Sequence, residues 1–285
     1  MMNSVYDRTE ELIGAANMDK LKNSSVIVFG LGGVGGHAVE ALARTGVGRL
    51  GIVDCDTVDI TNVNRQIIAL TSTVGKHKAD AFKDRIADIN GRIRVDSYRE
   101  KLTAESAHVF PLGEYDYIVD AIDDTAAKIL LIEKAKALGV PVISSMGAGN
   151  RMDPSRFKIS DIEKTHSCPL AKKIRKELAR RGITEVKVLF SDELPEKYED
   201  NSKGPASIAF VTAVAGLLIA GEVVRDLLEC DRNEKLHTHR QTGRDQQNLH
   251  RQHHDDRAGF EEDHDIHRGN EILALRQDRG NAQVP

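Results

Sequence analysis

Tryptophan is absent from this 285-residue chain and aromatic residues make up only 4% of it, although 40% of the residues are apolar. The core must therefore be built from Val, Ile, Leu and Ala, the usual packing of an α/β sheet under helices, and the length allows one large domain or two small ones. Cysteine is scarce as well. Cys55, Cys168 and Cys230 stand far apart with no C-x-x-C pair, which argues against a disulfide scaffold and a four-cysteine zinc site and fits a reducing cytoplasm. A long apolar run is also missing: the N-terminus has no signal-peptide core, and the run over residues 208–221 is soon followed by Glu222 and Arg225. It is short for a bilayer span and reads as a buried helix, so no membrane partner is expected. Positive charge is not in excess either. The formal net charge of −4 excludes a globally basic nucleic-acid binder but leaves room for a local basic patch.

What is present gathers around Ser25–Gly36, SVIVFGLGGVGG. Four apolar residues run into Gly30-x-Gly32-Gly33-x-Gly35 and then into a helical pattern, so a buried strand turns sharply and delivers a helix N-terminus. Gly30 permits the tight turn, Gly32 and Gly33 let backbone N–H groups approach an anion, and Gly35 lets the helix pack against its strand. The same glycines serve NAD, FAD, ATP and S-adenosylmethionine sites, so the neighbouring residues have to discriminate. Arg49–Asp54 is a second strand ending in an acid nineteen residues beyond Gly35, where a Rossmann-type fold places the carboxylate that binds ribose hydroxyls. A dehydrogenase would continue into a helix. Here an irregular polar loop, residues 55–66, brings Asn62 and Arg65 near the phosphate turn, and a guanidinium suits bidentate contact with a triphosphate. Lys76 and Lys78 open the next helix.

Further strands are expected at Arg94–Tyr98, Tyr117–Ile122 and Pro141–Ser145, with a helix over Thr125–Leu138. Asp123 and Asp124 follow the fourth strand, so one of them is a candidate Mg²⁺ ligand while Asp124 or Thr125 caps the helix. A lead-in helix is expected over residues 5–22, capped by Asp7 or Thr9 and anchored by Leu12, Ile13 and Leu21. Arg156–Asp161 and Glu185–Ser191 alternate like strands with one wet face and flank a helix over Pro169–Arg181. Residues 164–187 hold eight Lys/Arg against two Glu, a candidate footprint for phosphodiester backbone. The expected fold is α/β, a Rossmann-like, largely parallel sheet with helices on both faces, extended by a smaller mixed or antiparallel C-terminal part. The domain is taken as residues 1–229. The tail, 230–285, has seven His, eight Arg and one Lys with only eight Leu/Ile/Val/Phe, too little apolar surface for a core, and is expected to be disordered apart from weak helix near Asn270–Arg276. Metal binding by His253-His254 or His264-x-x-His267 is a minor alternative.

The Gly30–Gly36 turn, Val53-Asp54, Thr61-Asn62-x-Asn64-Arg65-Gln66, Gly75-Lys76-x-Lys78 and Asp120-x-x-Asp123-Asp124 together resemble the ubiquitin-activating-enzyme-like (ThiF/MoeB/HesA) adenylating superfamily over residues 8–229. Within it, Arg8–Gly14, Ala41–Gly46, Asn64–Ile67, Cys168–Lys172 and Ser207–Val211 look like the tRNA threonylcarbamoyladenosine dehydratases. The resemblance implies a cytoplasmic, ATP- and Mg²⁺-dependent enzyme that adenylates the carboxylate of threonylcarbamoyladenosine 37 in tRNA and cyclises it. It implies that Asp54 holds the ribose, that Asn62, Arg65 and Lys78 hold the phosphates, that Asp123 holds Mg²⁺, and that Arg8 is donated across a homodimer. A sulfur-transfer or cysteine desulfurase system is a further implied partner. The absence of paired zinc cysteines favours this branch over an adenylyltransferase for a ubiquitin-like sulfur carrier. An NAD-dependent oxidoreductase is what Gly30–Gly35 and Asp54 would permit alone.

Overall fold

Ser25–Phe29 has no polar face, and it forms strand β1, buried along its whole length. A strand covered on both sides by helices needs such a run. The structure, a computed structural model, describes residues 4–197 and 205–229; the expectations for the tail, including Asn270–Arg276 and the two His pairs, lie outside the described residues. The remaining strands are β2 (Arg49–Val53), β3 (Arg94–Tyr98), β4 (Tyr117–Asp120), β5 (Val142–Ser145), β6 (Phe157–Asp161) and β7 (Lys187–Ser191). They form a single sheet in the order β3-β2-β1-β4-β5-β7-β6. Every neighbouring pair is parallel except the antiparallel β6 and β7. The chain moves outward from β1 to β3 and then returns to β4 on the other side of β1, so a crevice opens between the carboxyl ends of β1 and β4.

Alternate β1 side chains serve two layers. Val26 and Val28 join the larger core with the helices α2 (Ala15–Asn23), α3 (Gly35–Thr45), α4 (Lys78–Asn90) and α7 (residues 209–229). Ile27 and Phe29 pack on the opposite face against α5 (Thr125–Leu138). Another face of α5 meets α6 (Pro169–Arg180) and β7 through Ile129, Ile132, Ile174, Leu178 and Val188. Each such side chain contributes about 1.5–3 kcal/mol on burial, so the two apolar layers hold the crevice between them rigidly. A polar tie adds to this: Tyr117 Oη donates to Asp226 Oδ2 at 2.6 Å, and Lys187 Nζ donates to Asp226 and Glu222, joining α7 to β4 and β7.

The expected lead-in helix is divided. Gly14, at φ 85°, separates α1 (Asp7–Ile13) from α2. The turn redirects the chain so that Leu12 faces solvent, 84% exposed, while the expected anchor Leu21 is buried together with Tyr6 and Met18. No side chain caps α1; Asp7 instead accepts from the Ser4 N–H. No helix among the described residues is long and apolar enough to cross a membrane.

Candidate functional site

A cavity of about 860 Å³ occupies the crevice, lined by Gly30, Gly32, Gly33, Asp54, Asn62, Arg65, Gln66, Lys78, Asp123 and Asp124. The turn after β1 is tight for a steric reason. Gly30 sits at φ +86°, and a Cβ there would lie 2.6 Å from the carbonyl oxygen of Ala121, after β4. A Cβ on Gly35 would lie 1.8 Å from the Gly30 oxygen, so Gly35 seats α3 on the turn and does not line the cavity. A Cβ on Gly32 would meet only the Gln66 amide, at 3.8 Å. Its backbone is thus open toward the cavity at the positive end of α3, the arrangement that receives an anion.

The strand-end acid is held in place by backbone donors. Asp54 Oδ2 accepts from the Leu31 N–H at 2.7 Å, and Oδ1 accepts from the Asp56 N–H at 2.9 Å. Burial pushes the Asp54 carboxyl above the usual carboxylate range, against the pull of Lys78 and of these two N–H groups. Lys78, whose side chain is 7% exposed, pairs with Asp56 at 2.8 Å and lies 3.8 Å from Asp54. That hydrogen bond from Lys78 is the main reason the Asp56 carboxyl sits below its ordinary range. Around the rim, Asn62 Oδ1 accepts from the Asp59 N–H while Asp59 accepts from Thr61, a reciprocal cap that fixes the short turn Ile60–Asn62. Arg65 donates through Nη1 to the Thr61 carbonyl and to Asn64 Oδ1. Among the described residues its Nε–Nη2 edge has no partner and remains for a bidentate anion contact.

Opposite these cations, β4 ends in a buried charge pair. Asp120 Oδ2 accepts from Lys128 Nζ at 3.0 Å and from Ser144 Oγ at 2.5 Å, with both members of the ion pair at 0% exposure. Asp120 Oδ1 accepts from the Ile122 N–H. This fixes the backbone one residue ahead of Asp123, whose side chain lines the cavity. Asp124 does cap α5: its Oδ1 accepts from Ala127 N–H at 2.8 Å, and that bond holds its carboxyl below the ordinary range.

Of the candidate site residues, the structure brings Gly30, Gly32, Gly33, Asp54, Asn62, Arg65, Lys78 and Asp123 together in the cavity lining and places Gly35 beneath the turn; Arg8 lies exposed on α1 and is not among the cavity-lining residues. Cys168 is the N-cap of α6 with Pro169 at its first position, and it is buried. Gln66, which the sequence marks only as part of a motif, is buried beside the turn with its Oε1 unpartnered among the described residues. Thr212 on α7 would collide with any side chain at Gly33, at 2.9 Å. It had no signal in the sequence, because nothing in a fourteen-residue apolar run marks which side chain faces the turn. Lys101 and Pro205 complete the rim.

The ThiF family model matches residues 6–258. A tRNA threonylcarbamoyladenosine dehydratase of Bacillus subtilis is 48% identical over 240 residues, which are 79% of this chain and 94% of that protein. The solved structure of Escherichia coli tRNA N6-threonylcarbamoyladenosine dehydratase, TcdA, in complex with ATP aligns with a TM-score of 0.75 at 32% identity, covering 80% of this chain and 95% of that one. Its complex with AMP aligns with a TM-score of 0.76 at 30% identity, covering 82% and 99%. With the glycine turn, the cationic rim and the strand-end acids in one crevice, and with a match that spans most of its length, this chain belongs to the ThiF family.

Proposed function

We propose that this chain is an ATP-dependent tRNA-modifying enzyme that activates the carboxylate of threonylcarbamoyladenosine in tRNA and closes it into a ring, with overall loss of water. The observation that carries the reading is the single cavity in which an open glycine turn, three cationic or amide side chains and a strand-end carboxylate converge, in a chain 48% identical to a dehydratase of that name. A carboxylate is a poor electrophile. Its oxygen attacks the α-phosphorus of ATP, pyrophosphate leaves with the bridging oxygen, and the mixed anhydride then loses AMP when the substrate's own carbamoyl group attacks the acyl carbon.

The roles follow from the geometry available. Asp54 already accepts one N–H on each carboxylate oxygen, and each oxygen keeps a further lone pair for a ribose hydroxyl. Arg65 offers its free edge to the phosphates, and Asn62 stands beside it. Lys78 reaches a phosphate by exchanging Asp56, a partner whose side chain is 64% exposed and is therefore cheaply given up. These preorganised charges stabilise the negative charge that spreads over the phosphates during transfer. Among the described residues no three His, Cys, Asp or Glu side chains converge; a lone Asp123 carboxylate fits Mg²⁺, which keeps its waters and takes its remaining ligands from phosphate. Asp123 would hold that ion, which neutralises developing charge. Arg8, outside this cavity, is assigned to the site of a second copy in a homodimer.

The test is mass spectrometry of nucleosides from threonylcarbamoyladenosine-containing tRNA after incubation with the protein and ATP. The expected product is lighter by one water, with AMP and pyrophosphate formed in equal amounts. Unchanged tRNA accompanied by ADP would overturn the reading.

A further inference from the structure

Helix α6 buries one stripe, Ala171, Ile174 and Leu178, at i, i+3 and i+7. The stripe Lys173, Lys176 and Arg180 has the same spacing and stands on the opposite, exposed side. These three cations, with Glu177 and Arg181, line a groove of about 650 Å³ whose other wall is the first turn of α5, at Thr125 and Ala126. Lys173 and Lys176 make no ion pair among the described residues, and Arg180 has only a solvent-exposed contact with Glu177 at 3.1 Å, which costs little to break. Of two neighbours that the sequence alone would add to the patch, Arg175 is committed elsewhere, and Arg181, although it lines the groove, is engaged by ion pairs. Arg175 turns inward and donates to the Thr165 carbonyl and hydroxyl at 2.6 Å, and Arg181 is shared between Glu133 and Glu177. Asp124 lines both this groove and the cavity at the end of β4. Its charge is engaged by the start of α5, and Lys173 acts on it from the groove side.

A row of cations about 10 Å long, at a rise of ~1.5 Å per residue, thus ends at the mouth of the cavity where a carboxylate would meet the α-phosphate. A compact anion would need one convergent cluster; a row that leads into a reaction site suits a polyanion threaded along it. We propose that the groove between α5 and α6 carries the phosphodiester backbone of the nucleic-acid substrate and delivers the modified base to the cavity, with Lys173, Lys176 and Arg180 as its phosphate contacts. The inference rests on the reading of the substrate as tRNA and adds where that tRNA lies.

The test compares tRNA filter binding at several salt concentrations for the wild type, a Lys173→Glu/Lys176→Glu variant and a charge-matched control, Lys83→Glu/Arg92→Glu, whose residues are exposed on and after α4. Each lost phosphate contact lowers the log–log salt slope by roughly 0.7–0.9. The groove variant is therefore expected to lose about 1.4–1.8 from the slope and to bind about 25- to 60-fold more weakly at 0.1 M salt. ATP affinity stays at the wild-type value in both variants, which also reports that they are folded. Wild-type tRNA affinity and slope in the groove variant, or an equal loss in the control, would overturn the groove assignment alone. A wild type that binds ATP but no tRNA at any salt concentration would overturn the tRNA reading and the groove with it.

Discussion

Lys128→Met should be the most damaging single change that touches no cavity-lining atom. The ammonium and the Asp120 carboxylate are 3.0 Å apart with no exposed surface on either. Coulomb's law at an effective dielectric of about 20 gives roughly 5–6 kcal/mol for that separation, and breaking a buried pair by removing one partner costs about 3–5 kcal/mol. Methionine keeps the volume, so the loss reports the stranded carboxylate rather than a void. For a unit of this size each kcal/mol moves the midpoint by about 2–4 °C, so the expected drop is about 6–20 °C. Thermal unfolding at neutral pH measures that drop, and urea denaturation measures the free energy itself. Asp120→Asn should be costly too, and the double variant Asp120→Asn/Lys128→Met should be more stable than the sum of the singles predicts, because no unpaired charge remains. A loss below about 1 kcal/mol for Lys128→Met, or strict additivity in the cycle, would refute the account of this pair.

Four further outcomes are expected. Gly30→Ala should destabilise by about 1–3 kcal/mol from its left-handed backbone alone, with the 2.6 Å approach to Ala121 adding to that and weakening ATP binding, as read by calorimetry. Asp123→Asn should abolish AMP formation with the fold intact, whereas Asp124→Asn, an equally good helix cap, should retain it; equal effects in a pyrophosphate-release assay would reassign the metal ligand. Burial raises the Glu40 carboxyl, but hydrogen bonds and charge from Arg85 and Arg44 outweigh it and hold the group below its ordinary range. Its stabilisation is then full above the unfolded carboxylate value of about 4.3 and lost as pH falls through the folded one, so Glu40→Gln should lose stability at pH 7 and match the wild type in strong acid. Removal of residues 230–285 should leave ATP affinity unchanged in a titration, because that composition cannot build a core.

Much of the fold is legible in the sequence because its signals are local. β1 is an unbroken apolar run, and α5 starts at an Asp cap and stops at Gly139, at φ 68°. The order of the last strands is not local: β7 enters between β5 and β6, a choice made by packing against α6 and α7 that leaves no mark on the alternation of either strand. The site divides in the same way. Glycines and strand-end acids are marked by spacing, whereas the Lys78–Asp56 pair, the inward turn of Arg175 and the approach of Thr212 depend on side-chain directions that one-dimensional periodicity does not contain. Gly14 was the misleading case, since helical periodicity persists across the break.

The contact between Thr212 and the glycine turn has a consequence for biosynthesis. The turn is made early in translation, but α7, which packs on it through Thr212 and through Gly216, where a Cβ would lie 2.3 Å from the Val34 carbonyl oxygen, is made near the end of the described chain. Gly35, the last glycine of the turn, precedes Thr212 by about 180 residues, so at roughly 5–20 residues per second a nascent chain waits about 9–35 s between carrying the phosphate turn and completing its floor. During that interval the apolar underside of the turn has no cover. A ribosome-bound intermediate halted before residue 209 should therefore recruit chaperones and fail to retain nucleotide, and release of α7 from the exit tunnel should be the moment at which this chain first becomes competent to bind it.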